Sequence, residues 1–326
     1  MNARRFLWAA AAGALLVANA PASAPNGEAD AAPLCAIELV VLGAGQDAGA
    51  PQIGNAGDNG PRLLPSSLGL IDRREGMRYL FDATPAITEQ LAMLDAIEPP
   101  QEGLGVDGVF LTHAHIGHYL GLAFLGFEAA NAESVPVFAM PRMAQFLRSN
   151  APWSQLVAYD NIAISEMADQ ALIPVSETFA VSPILMPHRD ELSETVGFAI
   201  LGGLNAALYV PDLDSWEEWE ASSGATLEQL IMNVDHAFID ATFYADGDLT
   251  DENGEGRDMS AIPHPRVTET MDRLQSLPES ERAKIHFIHY NHTNPIRDPD
   301  SAESREVIER GFNVARRGDR HCLADG

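Results

Sequence analysis

Three histidines within six residues, set directly behind a short strand pattern, constrain this chain more than any other feature. Val106 to Leu111 reads as a strand, and the chain then runs Thr112-His113-Ala114-His115-Ile116-Gly117-His118. In extended backbone alternate side chains share a face, so His113 and His115 point the same way. A turn at Gly117 brings His118 back toward the same point. Neutral imidazoles suit zinc and other late first-row metals, and three of them leave a position open for water, as in hydrolytic sites. The plain alternative is a polar loop with incidental histidines.

The surrounding pattern supplies a scaffold. Ile37 to Leu42 is an apolar run that feeds a loop carrying Gly43, Gly45, Gly49, Gly54, Gly57 and Gly60. Strands are expected at Ser67–Ile71, Arg78–Phe81 and Val135–Ala139, and in the second half at Phe179–Leu185, Thr195–Leu201, Ala206–Val210, Ala237–Ile239 and Lys284–Ile288. Helices are expected at Pro85–Ala96, from about Tyr119 to Ala130, from Pro141 on, and near Thr226–Ile231 and Arg266–Leu274. The last strand runs into a second cluster, His289-Tyr290-Asn291-His292. Histidines at strand ends in both halves fit two sheets packed face to face and covered by helices, an α/β fold of αββα type.

The motif resembles the His-x-His-x-Asp-His signature of the metallo-β-lactamase superfamily, with Gly117 in place of the aspartate. Other positions match in order. His188, in Met186-Pro187-His188-Arg189-Asp190, resembles the next histidine ligand. Asp212, in Val210-Pro211-Asp212, resembles the aspartate that bridges two metals, and His289 resembles the final histidine. Asp82 resembles the structural aspartate beneath the site. Gly43 to Gln52 and Asn291-His292-Thr293-Asn294-Pro295 are similar to the branch that contains coenzyme PQQ synthesis protein B. That branch's cysteine-rich zinc knuckle is absent, with Asn55, Gly57 and Asn59 in its place, and more metal-binding histidines are kept here.

The resemblance implies a sandwich of two mixed β-sheets flanked by helices, spanning 37–326 as one domain. It implies a metal site of His113, His115, His118, His188, Asp212 and His289, with zinc the first choice and iron or manganese open. The lost carboxylate at 117 implies one tight ion and at most a weak second, unless His292 or Asp47 compensates. On that reading Gly117→Asp raises occupancy of the second position. Asp212 and His264 are the catalytic candidates, His264 resembling a histidine that ribonuclease Z-like members place near the scissile phosphate. A surface loop histidine is the equal alternative for His264. Arg189, Asp190 and Glu191 either orient a ligand or form an ordinary charged turn. His236 and His286 read as structural strand residues.

The implied activity is hydrolysis of a small-molecule ester, lactone, amide or phosphoester by metal-activated water. A cofactor-maturation or oxidative metalloenzyme, and a non-catalytic metal- or ligand-binding protein, are the rivals. With 47 Asp and Glu against 20 Lys and Arg, the net charge of −27 disfavours nucleic acid and anionic membrane surfaces as partners. Arg4-Arg5, the apolar run Phe6 to Val17 and Ala22-Ser23-Ala24 have the layout of a signal peptide over 1–24, followed by a linker over 25–36. Export to the periplasm or beyond is therefore expected. The apolar run is shorter than the ~20 residues of a membrane span. Cys35 and Cys322, one near each end, either pair in an oxidising compartment or stay as free thiols.

Overall fold

The computed structural model describes residues 35–249, 256–259 and 261–326. The signal-peptide segment and the linker up to residue 34 lie outside these residues. Among the described residues, no helix is long and apolar enough to cross a membrane.

The first sheet takes most of its strands from the first half of the chain. They are β1 (Cys35–Gly43), β2 (Ser67–Asp72), β3 (Met77–Phe81), β4 (Gly108–Phe110), β5 (Val135–Ala139) and β6 (Ile162–Glu166). The second sheet contains β7 (Ile173–Pro174), β8 (Phe179–Leu185), β9 (Val196–Gly202), β10 (Asn205–Val210), β11 (His236–Asp240), β12 (Ile285–Ile288) and β13 (Asn313–Val314). The last strand, β14 (Arg320–Asp325), returns to the first sheet and pairs with β1. The orders are β14-β1-β2-β3-β4-β5-β6 and β13-β12-β11-β10-β9-β8-β7. Each sheet is mixed: β3 to β6 and β10 to β13 run parallel, and the remaining pairs are antiparallel.

Strands buried on both faces explain the near-continuous apolar runs of the sequence. In β1, Ile37, Leu39 and Val41 face the core between the sheets, while Val40 and Leu42 face the outer layer. That layer is closed by helices Ile87–Ile97 and Pro141–Ser149, the latter opened by its proline as expected. Phe81 stacks on Phe110 at 5.1 Å, and Phe110 meets Phe198 of the opposite sheet edge-on at 5.8 Å. These rings end one to three residues short of Asp82 and His113, so the packed core fixes the strand ends that carry them.

Two expectations need correction, and one open alternative is settled. Residues 35 and 36, placed in the linker, belong to β1. The helix expected from Tyr119 to Ala130 is instead a single turn, Ile116–Tyr119, followed by a 3₁₀ segment, Leu120–Leu125. Its apolar residues Leu122 and Leu125 are buried at the i, i+3 spacing of a 3₁₀ turn, which mimics a helix face in the sequence. Finally, Cys35 and Cys322 settle the open alternative by pairing, across β1 and β14.

Candidate metal centre

The six expected ligands converge between the carboxyl ends of the two sets of strands. His113, His115 and His118 follow β4, and His188 follows β8. Asp212 lies two residues past β10, and His289 directly follows β12. His115 is still extended (φ −97°, ψ 145°), and the helical turn that starts at Ile116 brings His118 back toward it.

Two groups share Asp212. His113 Nε2 lies 2.8 Å from His115 Nδ1, which lies 3.1 Å from His188 Nε2. Asp212 Oδ2 caps this triangle, 3.4 Å from His113 Nε2 and 3.3 Å from His188 Nε2. On its other side, the same oxygen lies 3.8 Å from His118 Nε2 and 3.7 Å from His289 Nε2. A tetrahedral ion with bonds of ~2.0 Å holds its ligands about 3.3 Å apart, so the first group fits one closely. Asp212 Oδ1 and His289 Nε2 are buried without hydrogen-bond partners, as ligand atoms reserved for an ion are.

The ligands are held by two matching frames. Asp82 accepts from the Thr112 hydroxyl and directly from His118 Nδ1 at 2.8 Å. Because the Thr112 hydroxyl donates to Asp82, it accepts from His113 Nδ1 at 3.0 Å. Across the cleft, Asp240 accepts from the Thr242 hydroxyl and from His264 Nδ1, both at 2.8 Å, and Thr242 accepts from His289 Nδ1 at 3.2 Å. Each frame turns an Nε2 lone pair inward, the tautomer that metal binding requires. Asp214 does the same for His188, accepting from its Nδ1 at 2.7 Å. Asp82, His264 and His289 all have positive φ (67°, 136° and 66°), a backbone strain that gathers at functional sites.

The charge states differ among the ligands: against burial, Asp82 raises the His118 pKa and Asp212 raises that of His188, whereas the other three histidines are lowered. Burial first, then the nearby His118, holds His113 well below the ordinary histidine value, so it stays a neutral ligand. Burial likewise lowers His115 and His289. Burial works against ionisation of Asp212, but His289, His113 and His188 outweigh it and keep the carboxylate charged. Burial also opposes protonation of His264, yet Asp240 and then Asp212 raise it to about 9.

His264 therefore belongs to the site rather than to a surface loop, 3.4 Å from Asp212 Oδ1. Neither Asp47 nor His292 is part of the ligand groups among the described residues. The Asp47 charge adds to the raised pKa of His118. Of the charged turn after His188, Asp190 is engaged by Arg142, and only Glu191 approaches a ligand, 3.5 Å from His115 Nε2. Sequence reading missed Thr112, Thr242, Asp214 and Asp240. Thr112 and Asp214 lie within two residues of a candidate ligand, whereas Asp240 and Thr242 sit at the end of β11, which carries none, so position marked only the first two.

A family model described as a beta-lactamase superfamily domain matches residues 77–290, from β3 to just past His289. The chain belongs to the β-lactamase superfamily. Coenzyme PQQ synthesis protein B of Ruegeria pomeroyi is 26% identical over 308 residues, covering 86% of this chain and 98% of that one. Among solved structures, Zn(2+)-bound PqqB from Methylobacterium extorquens aligns with a TM-score of 0.71 at 22% identity, over 87% of this chain and 99% of that one. A diphosphatase of the PhnP family aligns with a TM-score of 0.59 at 19% identity, over 87% and 96%. At these identities the two structures speak for the superfamily fold, and the ligand geometry is this chain's own.

Proposed function

We propose that this protein is an exported metal-dependent hydrolase acting on a small-molecule ester, lactone, amide or phosphoester. The observation that carries the reading is Asp212 Oδ2, set 3.3–3.8 Å from four imidazole nitrogens on two sides. His113, His115, His188 and Asp212 would hold the first ion, and His118, Asp212 and His289 a second. Bound there, a divalent ion supplies an activated water and polarises an oxygen that gains charge. The protein's own share is positional and acid–base. Asp82, Thr112, Thr242 and Asp214 fix the ring orientations. His264, oriented by Asp240 and 3.4 Å from Asp212 Oδ1, would donate a proton to the leaving oxygen or nitrogen. Zinc is the first choice of ion on the donor set.

The name shared by the curated relatives, coenzyme PQQ synthesis protein B, favours a second reading, in which the same pocket serves a cofactor-maturation or oxidative metalloenzyme. Metal analysis of the purified protein, coupled to an ester, lactone, amide and phosphodiester panel, separates the two. Hydrolysis that is abolished in His188→Ala together with bound metal, and reduced about 10²–10⁴-fold in His264→Gln with metal retained, supports the proposal. Bound iron with oxygen uptake points to the second reading, and full metal occupancy without turnover points to a binding protein.

A further inference from the structure

Three histidines outside the Asp212 centre form a group of their own. His236 opens β11, His286 is the second residue of β12, and His321 lies in β14. Their ring centroids are 4.5 Å (His286–His321), 4.7 Å (His236–His321) and 5.7 Å (His236–His286) apart. One nitrogen from each lies within 4.8 Å of the other two. The group is remote from the first site. Asp240, at the far end of β11, belongs to the His264 frame, and four residues of strand span about 13 Å.

Packing alone does not account for this arrangement. Phe238 stacks on His286 at 5.1 Å and meets His321 edge-on at 5.1 Å, so aromatic contact explains one side of the group. On the other side, His236 Nδ1, His286 Nε2 and His321 Nε2 are buried with no hydrogen-bond partner. A buried ring nitrogen without a partner forfeits its hydrogen bonds to water with nothing in return, and here three occur together. Imidazoles that only filled space would turn such atoms toward carbonyls or hydroxyls of the chain.

We propose that His236, His286 and His321 form a second, separate metal site for a late first-row divalent cation such as zinc. Three neutral imidazoles are the donor set that such ions favour over calcium or magnesium. Burial keeps all three rings unprotonated, with His286 lowered to about 3 and His321 to about 4. Asp235 brings negative charge toward His236, which favours a cation, while Glu38 near His321 is already paired with Arg320 and Arg73. His236 and His321 are partly exposed, so the ion reaches solvent, exchanges, and completes its shell with water. Because β14 belongs to the first sheet and β11 and β12 to the second, the ion joins the two sheets beside the Cys35–Cys322 bridge.

The test is zinc binding by the untagged, folded protein, stripped with chelator and dialysed against micromolar free zinc. The wild type should retain one equivalent more than His321→Gln or His236→Gln. Zinc should also raise the melting temperature of the wild type by more than it raises that of either variant. Unchanged stoichiometry in both variants overturns the site. If neither variant folds, crystals of zinc-soaked wild type decide at the zinc absorption edge. An anomalous peak among the three rings supports the site, and its absence there overturns it.

Discussion

At the scale of single residues, Gly117 departs from the superfamily motif, and the structure supplies a reason. A Cβ at this position would lie 2.3 Å from the Asp47 carbonyl oxygen and 2.9 Å from its carbon. The glycine-rich loop after β1 thus rests directly on the turn that carries His118, and a backbone carbonyl occupies the space a side chain would need. The expectation that Gly117→Asp fills a depleted second metal position is therefore withdrawn. Both Gly117→Ala and Gly117→Asp should displace the loop and cost about 1–3 kcal/mol in denaturant unfolding. An aspartate variant as stable as wild type, with added metal, would restore the original reading. Thr112 offers a complementary case, because its hydroxyl both donates to Asp82 and accepts from His113. Thr112→Val keeps the shape and removes both bonds, so metal affinity should fall about 10–100-fold while the fold persists. Unaltered affinity in a competition titration would show that the ring is held by packing instead. The ligands were legible because histidine at strand ends is rare without purpose. Their supports were not, because Thr and Asp serve turns and caps in every chain.

Among the elements, the strands with apolar runs were legible and the polar ones were not. β5 and β8 match their expected limits, Val135–Ala139 and Phe179–Leu185, because both carry strong β-formers between clear breaks. β14, Arg-His-Cys-Leu-Ala-Asp, buries only Leu323 and Ala324 and has no apolar period to read. It is held to β1 partly by charge. Glu38 of β1 accepts from Arg320 of β14 at 2.7 and 2.8 Å and from Arg73 at 2.8 Å. Burial works to raise the Glu38 pKa, but Arg320 and then Arg73 outweigh it and bring it below the usual carboxylate range. The folded-state value is depressed, so this contribution is complete above the unfolded value of ~4.3 and fades as pH falls through the folded one. Glu38→Gln should then destabilise the protein by about 1.5–3 kcal/mol at pH 7, with the gap to wild type closing toward pH 3. A gap independent of pH in urea titrations at both values would mean that the amide fails on shape rather than on charge.

For the whole molecule, the decisive long-range link is the Cys35–Cys322 bridge, whose pairing spacing alone left open. Pairing required β14 to lie beside β1, and nothing in a polar terminal segment announces that. The bridge joins residues 287 apart with Cα atoms 5.6 Å from one another. It closes nearly the entire chain into one loop, so it removes much of the freedom of the unfolded state. Measured bridges return less than chain entropy alone gives, and removing a native one costs about 2–5 kcal/mol. Such a bond persists in an oxidising compartment, which agrees with the export proposed from the Arg4-Arg5 leader. Protein recovered from its native cells should carry an amino terminus near Pro25 and no free thiol. Intact Met1 on cytoplasmic protein would argue against export. Cys322→Ser should unfold at lower urea concentration than wild type, by the stated cost, and with reductant present the two should coincide. The proposed metal ligands are histidines and an aspartate, which a non-thiol reductant does not attack, so the proposed hydrolysis, measured below the melting point, should survive such a reductant. Equal urea midpoints without reductant would mean that β14 is held by its strand pairing and the Glu38 cluster alone.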